Sequence, residues 1–114
     1  MSDCLFCKIA SGEFPALKVG ETDHVLAFRD VNPQAPTHVL LIPKTHVADS
    51  AADLAAGHGA FLADLFALAA RVAKDEGLVQ GWRLVTNVGT HAGQTVHHLH
   101  VHLLGGRPMQ WPPG

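Results

Sequence analysis

The sequence predicts one compact domain that mixes strands with a long helix, and three stretches carry that prediction. Residues 98–102 alternate His98, His100 and His102 with Leu99 and Val101, the period-two pattern of a strand. Residues 37–42 form a dense apolar run stopped by Pro43, which reads as a central strand. Residues 51–76 place Leu54, Phe61, Leu65, Leu68 and Val72 at helical spacing, with Gly77 set to end the helix. At 114 residues and 47% hydrophobic content the chain, 1–114, holds one ordinary core and not two.

The remaining elements follow in order. Cys4 and Cys7 bracket an N-terminal turn, and Gly12 and Pro15 break the chain after it. Residues 25–28 form a short strand ending at Asp30, and the rigid turn 32–36 (NPQAP) delivers the central strand. On the helix, Leu62, Phe66, Ala69 and Ala73 widen the apolar stripe beyond what one sheet face needs, which suits packing on both a sheet and a partner subunit. Gly57 and Gly59 weaken its first turns. A strand over 82–88 precedes the small-residue loop 89–94, and the histidine strand follows. The tail, 105–114, is too rich in Gly and Pro for helix or sheet interior.

Composition excludes several functions. A net charge of −2 with eight scattered Lys and Arg leaves no basic patch for nucleic acid. No stretch offers the ~18 uncharged apolar residues of a membrane span, and the N-terminus lacks a signal pattern, so the expected location is the cytoplasm. There, Cys4 and Cys7 suggest metal ligation or redox work more than a disulfide. With 6% aromatic content the core is small, and dimerisation would reinforce it.

Histidines at i, i+2 and i+4 spread along roughly 13 Å of strand, whereas a metal holds its nitrogens at about 2.1 Å. All three do not share one ion; His100 and His102 alone could, as in a metalloenzyme. The glycine-containing loop beside them offers backbone N–H groups for phosphate oxygens. Neutral imidazole is a competent nucleophile near pH 7, and a second imidazole can donate a proton to a leaving group.

Residues 94–104, QTVHHLHVHLL, resemble the histidine triad motif of a superfamily of nucleotide hydrolases and transferases. Residues 30–44, DVNPQAPTHVLLIPK, resemble the upstream half of that family, and the tail GGRPMQWPPG resembles its Hint branch. The resemblance implies an α+β fold, with an antiparallel sheet of about five strands, one long helix and a two-fold homodimer. It implies hydrolysis of purine nucleoside phosphoramidates, with no cofactor required for catalysis. The alternatives are a dinucleoside polyphosphate hydrolase and a non-catalytic purine nucleotide-binding regulatory protein.

Carried over by position, His100 resembles the nucleophile that forms a nucleotidyl-histidine intermediate. His102 would hold a phosphate oxygen or protonate the leaving amine, assisted by the hydroxyl of Thr95, where the family usually has Ser. Asn87, Gln94 and the N–H groups of Thr95 and Val96 would position the phosphate. His38 would support the histidine network. Asp30 would accept from both ribose hydroxyls. Phe6, Ile9, Phe14 and Phe28 would enclose the base by stacking and burial, reading its edge weakly. Trp111 would reach a partner's site. Cys4, Cys7, His46 and His98 make the Cys₂His₂ composition of a closed structural zinc site, which some bacterial proteins resembling this chain use. Two thiols without metal are the plainer alternative, as a turn-capping carboxylate is for Asp30.

Overall fold

The computed structural model describes residues 4–114, and Met1, Ser2 and Asp3 lie outside them. A short helix, α1 (Leu5–Ala10), leads into strands β1 (Lys18–Glu21), β2 (Val25–Arg29) and β3 (Thr37–Pro43). The long helix α2 (Gly59–Asp75) follows, then β4 (Trp82–Val85) and β5 (Val101–Gly105). The strands form one antiparallel sheet in the order β1-β2-β3-β5-β4, so the expected five-stranded α+β architecture stands.

Both faces of the central strands are covered, which explains why 25–28 and 37–42 are continuous apolar runs and not alternating ones. Val25, Ala27, Val39, Leu41, Val101 and Leu103 point to one side, against Leu65, Leu68, Ala69 and Val72 of α2. Leu26, Phe28, Leu40 and Ile42 point to the other, against Phe6 of α1. β5 pairs with β3 so that His102 lies opposite Leu40 and diagonal to His38, on the α1 side. The segment Ala56–Asp75 is long and apolar enough to cross a membrane, but the inward residues of α2 pack on the sheet as a core helix does.

Several boundaries differ from expectation. The helix does not start at residue 51: two 3₁₀ turns, Ala51–Asp53 and Ala56–His58, precede α2. Leu54 between them is extended, the Ser50 hydroxyl accepts from the Ala52 N–H, and the His58 ring accepts from the Ala55 N–H. These local bonds compete with the helical ladder. Gly77 does end α2, with φ of 73°. Of the residues that widen its stripe, Ala69 and Ala73 are buried in this chain's own core, while Phe66 is 55% exposed.

The histidine strand is shorter than its alternation suggests. β5 begins at Val101, so only His102 of the three lies in regular strand. The preceding backbone spends its polar groups elsewhere: Leu99 N–H donates to Ala48 O, and His100 O accepts from the Thr86 hydroxyl. The same Thr86 bond takes a carbonyl that β4 would have used, and β4 stops at Val85 instead of 88. Two elements carried no sequence signal strong enough to read. β1 is short and irregular between Lys18 and Gly20, and α1 is a six-residue helix capped by the Cys4 thiol.

Candidate active site

A cavity of about 590 Å³ opens on the α1 side of the sheet. Phe6, Ile9, Phe14, Phe28, Asp30, Thr95, Val96, His100 and His102 line it. Tertiary structure thus gathers residues from six places along the chain. Arg29 is the only lysine or arginine among the described residues that line it, and Glu76 holds that guanidinium through two bonds of 2.7 and 3.0 Å. An anion in the cavity would find its one lining guanidinium already paired.

His100 is 8% exposed, with the Phe6 ring edge-on at 5.0 Å. Its Nδ1 lies 2.8 Å from the His98 carbonyl oxygen, and a carbonyl only accepts. Nδ1 therefore carries the proton, and in the neutral ring Nε2 keeps its lone pair. The free lone pair is set by a backbone group two residues upstream.

His102 is tuned by a longer chain of contacts. The Gln34 N–H donates to His38 Nδ1 at 3.0 Å, so neutral His38 carries its proton on Nε2. That Nε2–H donates to His102 Nδ1 at 2.8 Å and faces Asp30 Oδ2 at 3.4 Å. His102 in turn holds its proton on Nε2. The two cavity imidazoles are complementary: His100 keeps a lone pair on Nε2, and His102 has an N–H there.

Burial pushes His102 down to about 4, with the neighbouring His100 and His38 acting the same way and Asp30 opposing. Burial also lowers His38, partly offset by Asp30. The folded chain thus keeps His102 neutral to about pH 4, while an unfolded one protonates it near 6.5. The unfolded state binds more protons across that window, so stability is complete above about pH 6.5 and falls as pH drops toward 4. After allowance for solvent screening of a half-buried ring, the loss is on the order of 1–2 kcal/mol. Urea midpoints at pH 7, 5.5 and 4.5 check this; midpoints flat across the series would contradict it.

Asp30 caps a turn at the edge of the cavity. Oδ1 accepts from the Asn32 N–H at 2.8 Å, a turn-capping bond, while the carboxylate also borders the cavity. Gln94 does not line the cavity. Its Oε1 accepts from Gly89 N–H, and its Nε2 donates to Asp49 O and Val96 O, so the side chain clamps the loop that presents Thr95 and Val96. Asn87, in the loop after β4, and Trp111, 83% exposed in the tail, also lie away from the lining. Positioning groups that sequence reasoning missed are Gln34, Thr86 and the Pro43 carbonyl, which act through one hydroxyl and backbone atoms. Asp49 did leave a signal, since a carboxylate three residues after His46 fits support for a liganding imidazole.

Beside the cavity, ligand atoms of Cys4, Cys7, His46 and His98 all lie within 4.8 Å of one another. His98 Nδ1 is 3.1 Å from Cys4 Sγ and 3.4 Å from Cys7 Sγ, and His46 Nδ1 is 3.6 Å from Cys7 Sγ. A tetrahedral zinc with ordinary bond lengths has ligand–ligand edges of ~3.3–3.8 Å, close to this spread. The tautomers also fit: His98 Nε2–H donates to the Pro43 carbonyl and His46 Nε2–H to Asp49, leaving both Nδ1 lone pairs turned toward the sulfurs. Burial raises the Cys4 thiol, but bonds with Cys7 and His46 bring it below its ordinary value. A second grouping of Asp30, His38 and His102 is accounted for by the 2.8 Å hydrogen bond within it.

Known proteins share this architecture along the whole chain. A maize 14 kDa zinc-binding protein (Zea mays) is 52% identical over 99% of this chain and 89% of its own length. The Arabidopsis thaliana adenylylsulfatase HINT1 is 50% identical over 99% of this chain and 78% of its own. The crystal structure of a HIT family hydrolase from Legionella pneumophila Philadelphia 1 superposes with a TM-score of 0.94 at 53% identity, covering 98% of this chain and 100% of that one. The HIT domain profile matches residues 11–109, enclosing every residue of the cavity wall from Phe14 to His102. On sequence and fold, this chain belongs to the HIT domain family.

Proposed function

We propose that this protein hydrolyses purine nucleoside phosphoramidates by way of a covalent nucleotidyl-His100 intermediate. The observation that carries the reading is the 2.8 Å bond from His100 Nδ1 to the His98 carbonyl, which leaves Nε2 as the free nucleophile beside a His102 N–H. The family membership and the hydrolase title of the Legionella neighbour support the hydrolytic class. The apolar wall of Phe6, Ile9, Phe14 and Phe28 suits a purine, and Asp30 suits a ribose.

In the first step His100 Nε2 attacks the α-phosphorus, and the phosphorus–nitrogen bond breaks. His102 Nε2–H donates to a phosphate oxygen as charge develops there, joined by the N–H groups of Thr95 and Val96. A His102 held neutral favours this hydrogen-bonding role over full proton transfer. The departing amine takes a proton relayed from solvent across the exposed Thr95 hydroxyl. In the second step water attacks phosphorus, the bond to Nε2 breaks, the nucleoside monophosphate leaves and the borrowed proton returns to solvent. His100 regains its lone pair.

A second reading has a specific observation behind it. The Arabidopsis relative is named an adenylylsulfatase, and sulfate leaves a phosphorus without needing a proton, which suits a neutral His102. Mixing His102→Ala with tryptamine-linked adenylate and weighing the protein is expected to trap an added AMP on His100. Parallel turnover of the phosphoramidate, adenylyl sulfate and a dinucleoside polyphosphate ranks the substrate classes. AMP binding with no adduct and no turnover would leave a non-catalytic nucleotide-binding protein.

Two companions complete the proposal. Cys4, Cys7, His46 and His98 hold a structural zinc, consistent with the names of the maize and Brassica juncea relatives. Four protein ligands leave no place for a reactive water, so its part is to fasten α1 to residues 46 and 98. A two-fold homodimer would cover Phe66 of α2, now 55% exposed, and bring Trp111 toward the other subunit. Sedimentation of the purified protein reports that state.

A further inference from the structure

The histidine pair behind the cavity has two possible proton arrangements, and the structure contains a device that selects between them. In one, His38 Nε2–H donates to His102 Nδ1, and His102 presents N–H to the cavity. In the other, His102 Nδ1–H donates to His38 Nε2, His38 is protonated on Nδ1, and His102 presents a lone pair. The same 2.8 Å contact serves both arrangements. A lone pair facing a phosphate oxygen repels it, so only the first arrangement supports the chemistry proposed above.

Two groups select the first: the Gln34 N–H, 3.0 Å from His38 Nδ1, and the Asp30 carboxylate, whose Oδ2 lies 3.4 Å from His38 Nε2 and favours a proton there. In the second arrangement two N–H groups would point at each other, which costs a buried, unmade hydrogen bond. The Gln34 part of that selection holds only while its backbone stays in place, and that segment is an exposed loop. Arg107 holds it. Its Nε and Nη2 donate to the Gln34 carbonyl at 3.2 and 3.1 Å, a two-pronged grip on one oxygen, and Nη1 donates to Pro108 O at 3.1 Å. The chain reaches this position through Gly106, whose φ of 91° excludes ordinary side chains and whose added Cβ would sit 2.9 Å from the Pro36 ring. The tail turn and the 32–36 turn are therefore packed face to face.

From these contacts we infer that Arg107 is a positioning residue: gripping the Gln34 carbonyl, it holds the N–H that sets the tautomers of His38 and His102. It does not line the cavity. The inference rests on the catalytic reading above for its consequence in rate, but its structural half stands without any substrate.

The test is direct observation of the ring nitrogens. In ¹⁵N-labelled wild-type protein at pH 7, His102 is expected to show a protonated Nε2 and an unprotonated Nδ1. In Arg107→Ala the Nδ1-protonated form gains population, kcat falls about tenfold and KM stays within about twofold. Arg107→Lys, which keeps the charge and one prong, recovers part of both signals. A His102 that keeps its wild-type tautomer in Arg107→Ala overturns the inference, whether or not kcat falls, since a rate loss alone would mark a merely structural tail. A wild-type His102 protonated on Nδ1 overturns it as well. A tautomer shift in a protein that turns over no phosphoramidate would uphold the positioning role while defeating the catalytic reading.

Discussion

His100→Ala is expected to lower phosphoramidate turnover on the order of 10⁴-fold or more and to abolish the AMP adduct. The expectation follows from the single lone pair at the site. His38 spends both ring nitrogens on Gln34 and His102, and His102 spends Nδ1 on His38. Neither can stand in as nucleophile without breaking a buried hydrogen bond. The apolar wall and Asp30 remain in the variant, so AMP affinity should change only a few-fold. The His98 carbonyl loses its partner, which costs about 1–3 kcal/mol and leaves a folded protein. Stopped assays, mass measurement and AMP titration on one preparation separate these effects. Turnover within tenfold of wild type would remove His100 from the mechanism.

Cys7→Ala is expected to release about one zinc per chain and to lower the melting temperature by roughly 15 °C or more. A metal held at a thousandfold over its dissociation constant contributes about 4 kcal/mol to a fold that binds it only when folded. The large effect comes from what the cluster joins. Cys4 and Cys7 sit at the start of α1, His46 in the loop after β3 and His98 at the approach to β5, so one ion would fasten three distant segments. Chelation of the wild type should reproduce the shift, and the variant should then be insensitive to chelator. Atomic emission and calorimetry read both. A variant as stable as wild type, with wild type carrying no metal, would leave the four residues as a hydrogen-bonded cluster.

Much of the site is legible in the amino-acid sequence, for a physical reason. Histidine and cysteine are chemically distinctive, and their alternation along 98–102 and spacing over 4–7 survive in one dimension. The aromatic and aliphatic residues expected around a base do line the cavity, although Phe6, Ile9 and Phe28 also pack as ordinary core. Gln94 shows where that reading reaches its limit. Its amide suits a phosphate, yet the fold turns all three of its hydrogen bonds onto backbone groups.

By itself, the sequence determined the long helix, the central strands, the family and the residue types of the site, since all of these are written in side-chain identity and period. Tertiary structure alone decided that β5 starts at Val101, that α1 and β1 exist, and which nitrogen of His38, His98, His100 and His102 holds a proton. The proton placements belong to the His98 and Pro43 carbonyls and the Gln34 N–H. Nearly every residue carries the same backbone groups, so no letter in the sequence marks the few that chain folding brings against an imidazole.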